Sequence, residues 1–150
     1  MNEEEIKVKK IEHGTVVDHI PGGKAVRILS ILGLNEDFPG TISVIIRVPS
    51  ARFGTKDIIK VEGKTIAKKE LQKLSLIAPS ATVNQVRDYK VVEKYRVTVP
   101  EEFVDTINCP NSSCITNHEG TAKLLTEERD PLKLRCAYCE RVYTVNELSI

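Results

Sequence analysis

Four cysteines crowd into the last 42 residues of a 150-residue chain, as two close pairs: Cys109 and Cys114 in a C-x4-C pattern, Cys136 and Cys139 in C-x2-C. A close pair holds two sulfurs at one knuckle, and two facing knuckles make a tetrahedron. Zn2+ favours four thiolates in that arrangement. With all four positions filled by sulfur, none is left for water, so such a metal is structural and not catalytic. A disulfide framework and an iron centre are the competing readings, the disulfide the weaker in a reducing compartment. His118 lies near enough in sequence to compete as a ligand, although four cysteines already complete a site. A segment of this length buries little core, so the metal carries much of its folding free energy. The run Asn108 to Cys114 reads as a tight knuckle. Lys133-Leu134-Arg135 leads into the second knuckle, and Val142, Tyr143 and Val145 read as a closing strand.

Charge marks a boundary near Val99-Pro100. Residues 1–99 hold 17 Lys/Arg against 12 Asp/Glu, a balance of +5, and residues 100–150 hold 5 against 9, a balance of −4. The opposite signs suggest different partners for a domain of residues 1–99 and a domain of residues 100–150. The whole chain is only +1, which gives no global basic field for nucleic acid. No run of 18 apolar residues exists, so no membrane helix is expected. The acidic start, Met1-Asn2-Glu3-Glu4-Glu5, has no apolar stretch behind it, which speaks against a secretory signal and points to the cytoplasm.

The first domain alternates element types. Thr15 to Ile20 is a short β-rich run, broken by Pro21-Gly22-Gly23. Lys24 to Leu32 carries Ala25, Ile28, Leu29 and Leu32 at helical spacing, with Gly33 as the stop. Thr41 to Val48 nearly alternates, with Ile42, Val44, Ile46 and Val48 on one face. Pro49 to Gly54 reads as a loop and Lys56 to Glu62 as a strand. Ala67 to Ile77 reads as a second helix stopped by Pro79. Thr82 to Arg87 and Val91 to Val99 read as strands, and Ile6 to Ile11 as an additional one. This β-α-β-β-α-β order predicts an α+β fold: a ferredoxin-like antiparallel sheet with two helices on one face, followed by a small all-β zinc-binding domain.

No Walker A loop, G-x-G-x-x-G, G-x-S-x-G or H-E-x-x-H motif occurs, and no thiol lies outside the cysteine set. The chain reads as having no catalytic residues. Gly22-Gly23 before a helix suits an anion, but a turn after a strand is the simpler reading. Several polar residues lie on or beside strands: Asp18, His19, Lys60, Asn84 and Lys94. A ferredoxin-like sheet sets its first and last strands side by side, which draws Asp18, His19 and Lys94 together. Two lysines and a histidine suit phosphates as point charges, and a carboxylate suits a ribose hydroxyl.

The segments GTVVDHIP (14–21), KDIIKVEG (56–63), APSATVNQV (78–86) and the CPNSSC…CAYC cysteine pattern resemble the regulatory chain of aspartate carbamoyltransferase over nearly the whole length. The resemblance implies a non-catalytic regulatory subunit in pyrimidine biosynthesis. It implies a homodimer through the N-terminal domain, three such dimers bridging two catalytic trimers, and a zinc domain docked on catalytic chains. Its effectors are CTP, ATP and UTP. The residues implied around the nucleotide are Asp18 and Lys60 by ribose and base, and His19, Asn84 and Lys94 by the triphosphate. Backbone groups of Val8, Ile11, Tyr89 and Val91 frame it. Asn111 matches a contact to the catalytic chain. Ser113 replaces the asparagine common in the first knuckle, and the loop near Glu127–Pro131 is trimmed. The rivals are an RNA- or DNA-binding module, a rubredoxin-like electron carrier and an enzyme acting on nucleotides.

Overall fold

The structure, a computed structural model, describes residues 11–51 and 54–150. The described residues form two compact units: those up to Ala67 together with Ser80–Val97, and Lys68–Pro79 together with Thr98–Ile150. Of the expected N-terminal strand, residues 6–10 lie outside the described residues.

The first unit carries β1 (Gly14–Pro21), helix α1 (Ala25–Ile31), β2 (Ile42–Pro49), β3 (Thr55–Glu62), β4 (Thr82–Arg87) and β5 (Lys90–Arg96). The strands form one antiparallel sheet in the order β2-β3-β1-β4-β5. The first four reproduce the expected arrangement, and β5 extends it as a hairpin on β4. Asp88 and Tyr89 form that hairpin's two-residue turn, both with positive φ (51° and 64°), the backbone that matches the right-handed twist of the strands. Successive side chains of a strand point to opposite faces. Val17, Ile59 and Val83 accordingly lie fully buried on one face, with Val61 beside them. Helix α1 packs against β3 and buries Ala25, Ile28 and Leu32 of the expected stripe, while its fourth member, Leu29, is half-buried. Gly14 admits no side chain, because a Cβ there would lie 2.0 Å from the Val61 carbonyl oxygen.

Two strands depart from simple alternation. In β1, Val17 pairs Ile59 and Ile20 pairs Asp57, so β1 holds one extra residue. In β2, Ile45 pairs Ile58 and Val48 pairs Lys56, so β2 also holds one extra residue. Both neighbours of β3 therefore bulge at the same level. His19 and Arg47, inside the bulges, have φ of 58° and 60°. A bulge places two consecutive residues against one and increases local twist. Val17 and Ile20 both stay in the core, while Asp18 and His19 between them are displaced together from it. In β2 the same shift exposes Ile46 and Arg47, so the regular apolar face read from its sequence is interrupted.

The second unit carries α2 (Lys68–Ile77), β6 (Glu102–Val104), β7 (Lys123–Arg129), β8 (Leu132–Cys136) and β9 (Val142–Thr144), with single 3-10 turns at Ile115–Asn117 and Val145–Glu147. Its sheet order is β6-β7-β8-β9. Phe103, Leu124 and Leu134 are fully buried, and Leu76 of α2 joins their cluster with Ile107, Tyr143 and Leu148. The segment before β6 is tied to β7: Arg129 Nη1 donates to the Val99 carbonyl at 2.6 Å, and Thr126 Oγ1 donates to the Pro100 carbonyl at 2.6 Å. The trimmed stretch expected near Glu127–Pro131 forms the end of β7 and its turn into β8.

Candidate functional site

In the first unit, cross-strand register builds a polar row on the face opposite the core. Lys60 pairs Val16, Val16 pairs Asn84, and Asn84 pairs Lys94. Directly paired residues of antiparallel strands share a face, so Lys60, Asn84 and Lys94 stand on one side. Lys94 lies one strand farther from β1 than adjacency of the first and last strands implies, because β4 intervenes. Asp18 and His19 flank this row on β1, two and three residues along the strand from Val16. The Asp18 carboxylate accepts the His19 backbone N–H at 2.5 Å and pairs with Lys56 Nζ at 3.2 Å. The His19 ring Nδ1 lies 2.9 Å from Thr82 Oγ1, and Ser80 Oγ donates to the His19 carbonyl at 2.9 Å.

On the other side of the row, toward the β4–β5 turn, Ile11 is buried, while Tyr89 and Val91 are exposed. The Tyr89 N–H donates to the Glu12 carbonyl at 3.1 Å. Val8 lies outside the described residues. Sequence reasoning passed over Lys56 and Thr82. Lys56 stands four residues from Lys60 on the same strand, so the two-residue period already put both lysines on one face. The arrangement offers ammonium groups for phosphate oxygens and a carboxylate for a hydroxyl.

The Gly22-Gly23 turn is served from inside the protein. The buried Asp57 carboxylate accepts the Gly23 N–H at 3.0 and 2.9 Å on its two oxygens, the Ala25 N–H at 2.8 Å and the Arg47 N–H at 2.9 Å. An anion does occupy this turn, but it belongs to the chain.

In the second unit the four cysteine sulfurs all lie within 4.8 Å of one another. Cys109 Sγ is 3.7 Å from Cys139 Sγ, and Cys114 Sγ is 3.7 Å from Cys136 Sγ. Each of these contacts joins one knuckle to the other. The distance exceeds a disulfide bond of about 2.05 Å, and all four cysteines are free. A tetrahedron with Zn–S bonds of about 2.3 Å has edges of about 3.8 Å, so the four sulfurs fit a metal of that kind. The second knuckle turns its own amides toward sulfur, with Tyr138 and Cys139 N–H groups 3.4 and 3.5 Å from Cys136 Sγ. Asn117 Nδ2 donates to the carbonyls of Cys109 at 2.9 Å and Asn111 at 2.7 Å, closing the first knuckle. Asn111 Oδ1 accepts the Ser113 N–H at 3.1 Å. His118 is not a member of the cluster; its Nε2 lies 3.0 Å from the Ser112 carbonyl. Burial pushes the Cys109 thiol up to about 12. Hydrogen bonds from Thr116 hold Cys114 below the usual thiol range.

Residues 6–98 match the family model of the aspartate carbamoyltransferase regulatory chain, allosteric domain. Residues 101–149 match that of the metal binding domain of the same chain. The chain belongs to the aspartate carbamoyltransferase regulatory chain family. The regulatory chain of Thermococcus gammatolerans is 50% identical over 145 residues, covering 96% of each chain. That of Thermococcus kodakarensis is 49% identical over 145 residues, covering 96% of this chain and 94% of its own. That of Thermoplasma volcanium is 45% identical over 152 residues, covering 100% and 99%. As a regulatory chain of aspartate carbamoyltransferase, the protein is a non-catalytic subunit with an allosteric domain and a metal-binding domain. Its four-cysteine cluster holds a structural metal.

Proposed function

We propose that residues 1–99 bind the nucleoside triphosphates CTP, ATP and UTP on the polar face of the sheet, and that residues 100–150 carry zinc and dock on catalytic chains. The observation that carries the nucleotide reading is the in-register row of Lys60, Asn84 and Lys94 with Asp18 and His19 beside it on β1. In this reading His19, Asn84 and Lys94 take the triphosphate, while Asp18 and Lys60 take ribose and base. Backbone groups of Val8, Ile11, Tyr89 and Val91 frame the nucleotide. Purine and pyrimidine triphosphates share phosphate and ribose contacts, and the backbone near Ile11 and Tyr89 senses the size of the base. Asn111 meets the catalytic chain from the first knuckle. Regulatory chains pair as homodimers, and three such dimers bridge two catalytic trimers in the cytoplasm.

An effector shifts such an assembly only through unequal affinity for its two quaternary states, a coupling of about 1–3 kcal/mol. The nucleotide and the catalytic chemistry then sit on different polypeptides, and feedback on pyrimidine synthesis passes through the metal-binding domain. Lys94→Ala tests the assignment. The variant is expected to bind CTP and ATP about tenfold more weakly by calorimetry, as loss of a charge-assisted contact predicts, with unchanged metal content and assembly. Wild-type affinity for both nucleotides refutes the assignment.

A further inference from the structure

Asp57 contributes to the polar face although its side chain lies on the other side of the sheet. By the alternation of β3 it shares the core face with Ile59 and Val61, and it is fully buried. It stands where both neighbouring strands bulge: Ile20, which closes the β1 bulge, is its direct partner. In β2 the Arg47 N–H, inside the second bulge, donates to Asp57 Oδ1 at 2.9 Å. The turn leaving β1 is fixed to the same carboxylate by the Gly23 and Ala25 N–H groups. A buried carboxylate needs several donors, and a regular ladder turns strand amides toward neighbouring strands and away from core side chains. The bulge in β2 and the turn after β1 free the required N–H groups for it.

The consequence appears on the opposite face. Without its extra residue, β1 would alternate strictly, and a side chain following Asp18 would point back into the core. The bulge instead sets Asp18 and His19 outside the core together, between buried Val17 and Ile20. His19 then meets Thr82, and Asp18 meets Lys56, the residue beside Asp57 in β3. The geometry points to Asp57 as a positioning residue for nucleotide binding: by holding the turn that closes β1 and the neighbouring β2 bulge, it fixes the end of the β1 bulge that sets Asp18 and His19 on the effector face. This inference rests on the nucleotide reading above.

Asparagine at this position is nearly isosteric but accepts at one oxygen only, and its amide hydrogens would face backbone N–H groups. The test uses the full, metal-loaded chain with ATP as probe and compares wild type, Asp57→Asn, His19→Ala and the double variant by calorimetry. Asp57→Asn is expected to raise the Kd about tenfold in the wild-type background and about threefold beside His19→Ala, where only the part that acts through Asp18 remains, since residues acting through one another are not additive. Equal losses in both backgrounds, or an unchanged Kd in folded Asp57→Asn, overturn the inference. A second measurement needs no variant. Linkage is reciprocal, so saturating ATP is expected to slow amide exchange of Gly23, Ala25 and Arg47 in the wild-type chain by about tenfold or more. ATP binding with no slowing at these amides overturns the positioning role alone. Absence of ATP binding by the wild-type chain overturns the nucleotide reading and this inference with it.

Discussion

Asn117 and Cys109 show how much of the metal centre rests on single residues. Asn117 spans the first knuckle with two hydrogen bonds from one amide nitrogen. Asn117→Ala is expected to lower the stability of the metal-binding unit by about 1 kcal/mol, the net worth of such bonds, read from its urea midpoint with metal in excess. Cys109 illustrates the proton balance. Its thiol is pushed up to about 12 by burial, so below that pH the metal-free protein keeps it protonated, and a metal must displace the proton to bind. Raised acidity of the medium therefore opposes loading. Metal titrations in weak buffer at pH 7 are expected to release protons, and apparent affinity is expected to rise from pH 6 to pH 8. A pH-independent affinity would contradict this. The cysteines were legible in the sequence because their spacing is local: four residues between Cys109 and Cys114, and two between Cys136 and Cys139, suffice to set a knuckle. Asn117 was not, because an asparagine's partners are backbone carbonyls that no side-chain pattern announces.

Among the elements, the helices and most strands follow from periodicity, whereas the bulges follow from its interruption. Val17-Asp18-His19-Ile20 and Ile45-Ile46-Arg47-Val48 each place two residues between neighbours of one face where strict alternation allows one, the core face in β1 and the opposite face in β2. That signal is readable only once β3 is known to lie between them, because pairing is a long-range property. The same limit explains why Lys94 was expected beside β1. The β4–β5 hairpin adds a strand beyond the four of the expected motif, and a sequence does not state which strand ends the sheet. In the second unit, β8 lies between β7 and β9 and carries the fully buried Leu134. Leu134→Ala is expected to destabilise this unit by about 2–5 kcal/mol and to weaken metal retention in parallel, measured by denaturation with a metal-release indicator. Loss of stability with unchanged metal affinity would separate the sheet from the centre it supports.

At the scale of the molecule, function is divided along the chain: an allosteric domain matched over residues 6–98 and a metal binding domain matched over residues 101–149. The charge balance changes sign near the same place, from +5 over residues 1–99 to −4 over residues 100–150. A mercurial that captures thiolates is expected to strip the metal and detach the chain from its catalytic partner, followed by sedimentation. A complex that survives metal loss would rule out a metal-dependent dock. The sulfur contacts that run from knuckle to knuckle carry a wider implication. An ion that holds together two distant stretches of chain completes the surface bearing Asn111 only after it arrives. If the proposed dock on catalytic chains uses that surface, subunits made during metal scarcity wait outside the complex until supply recovers.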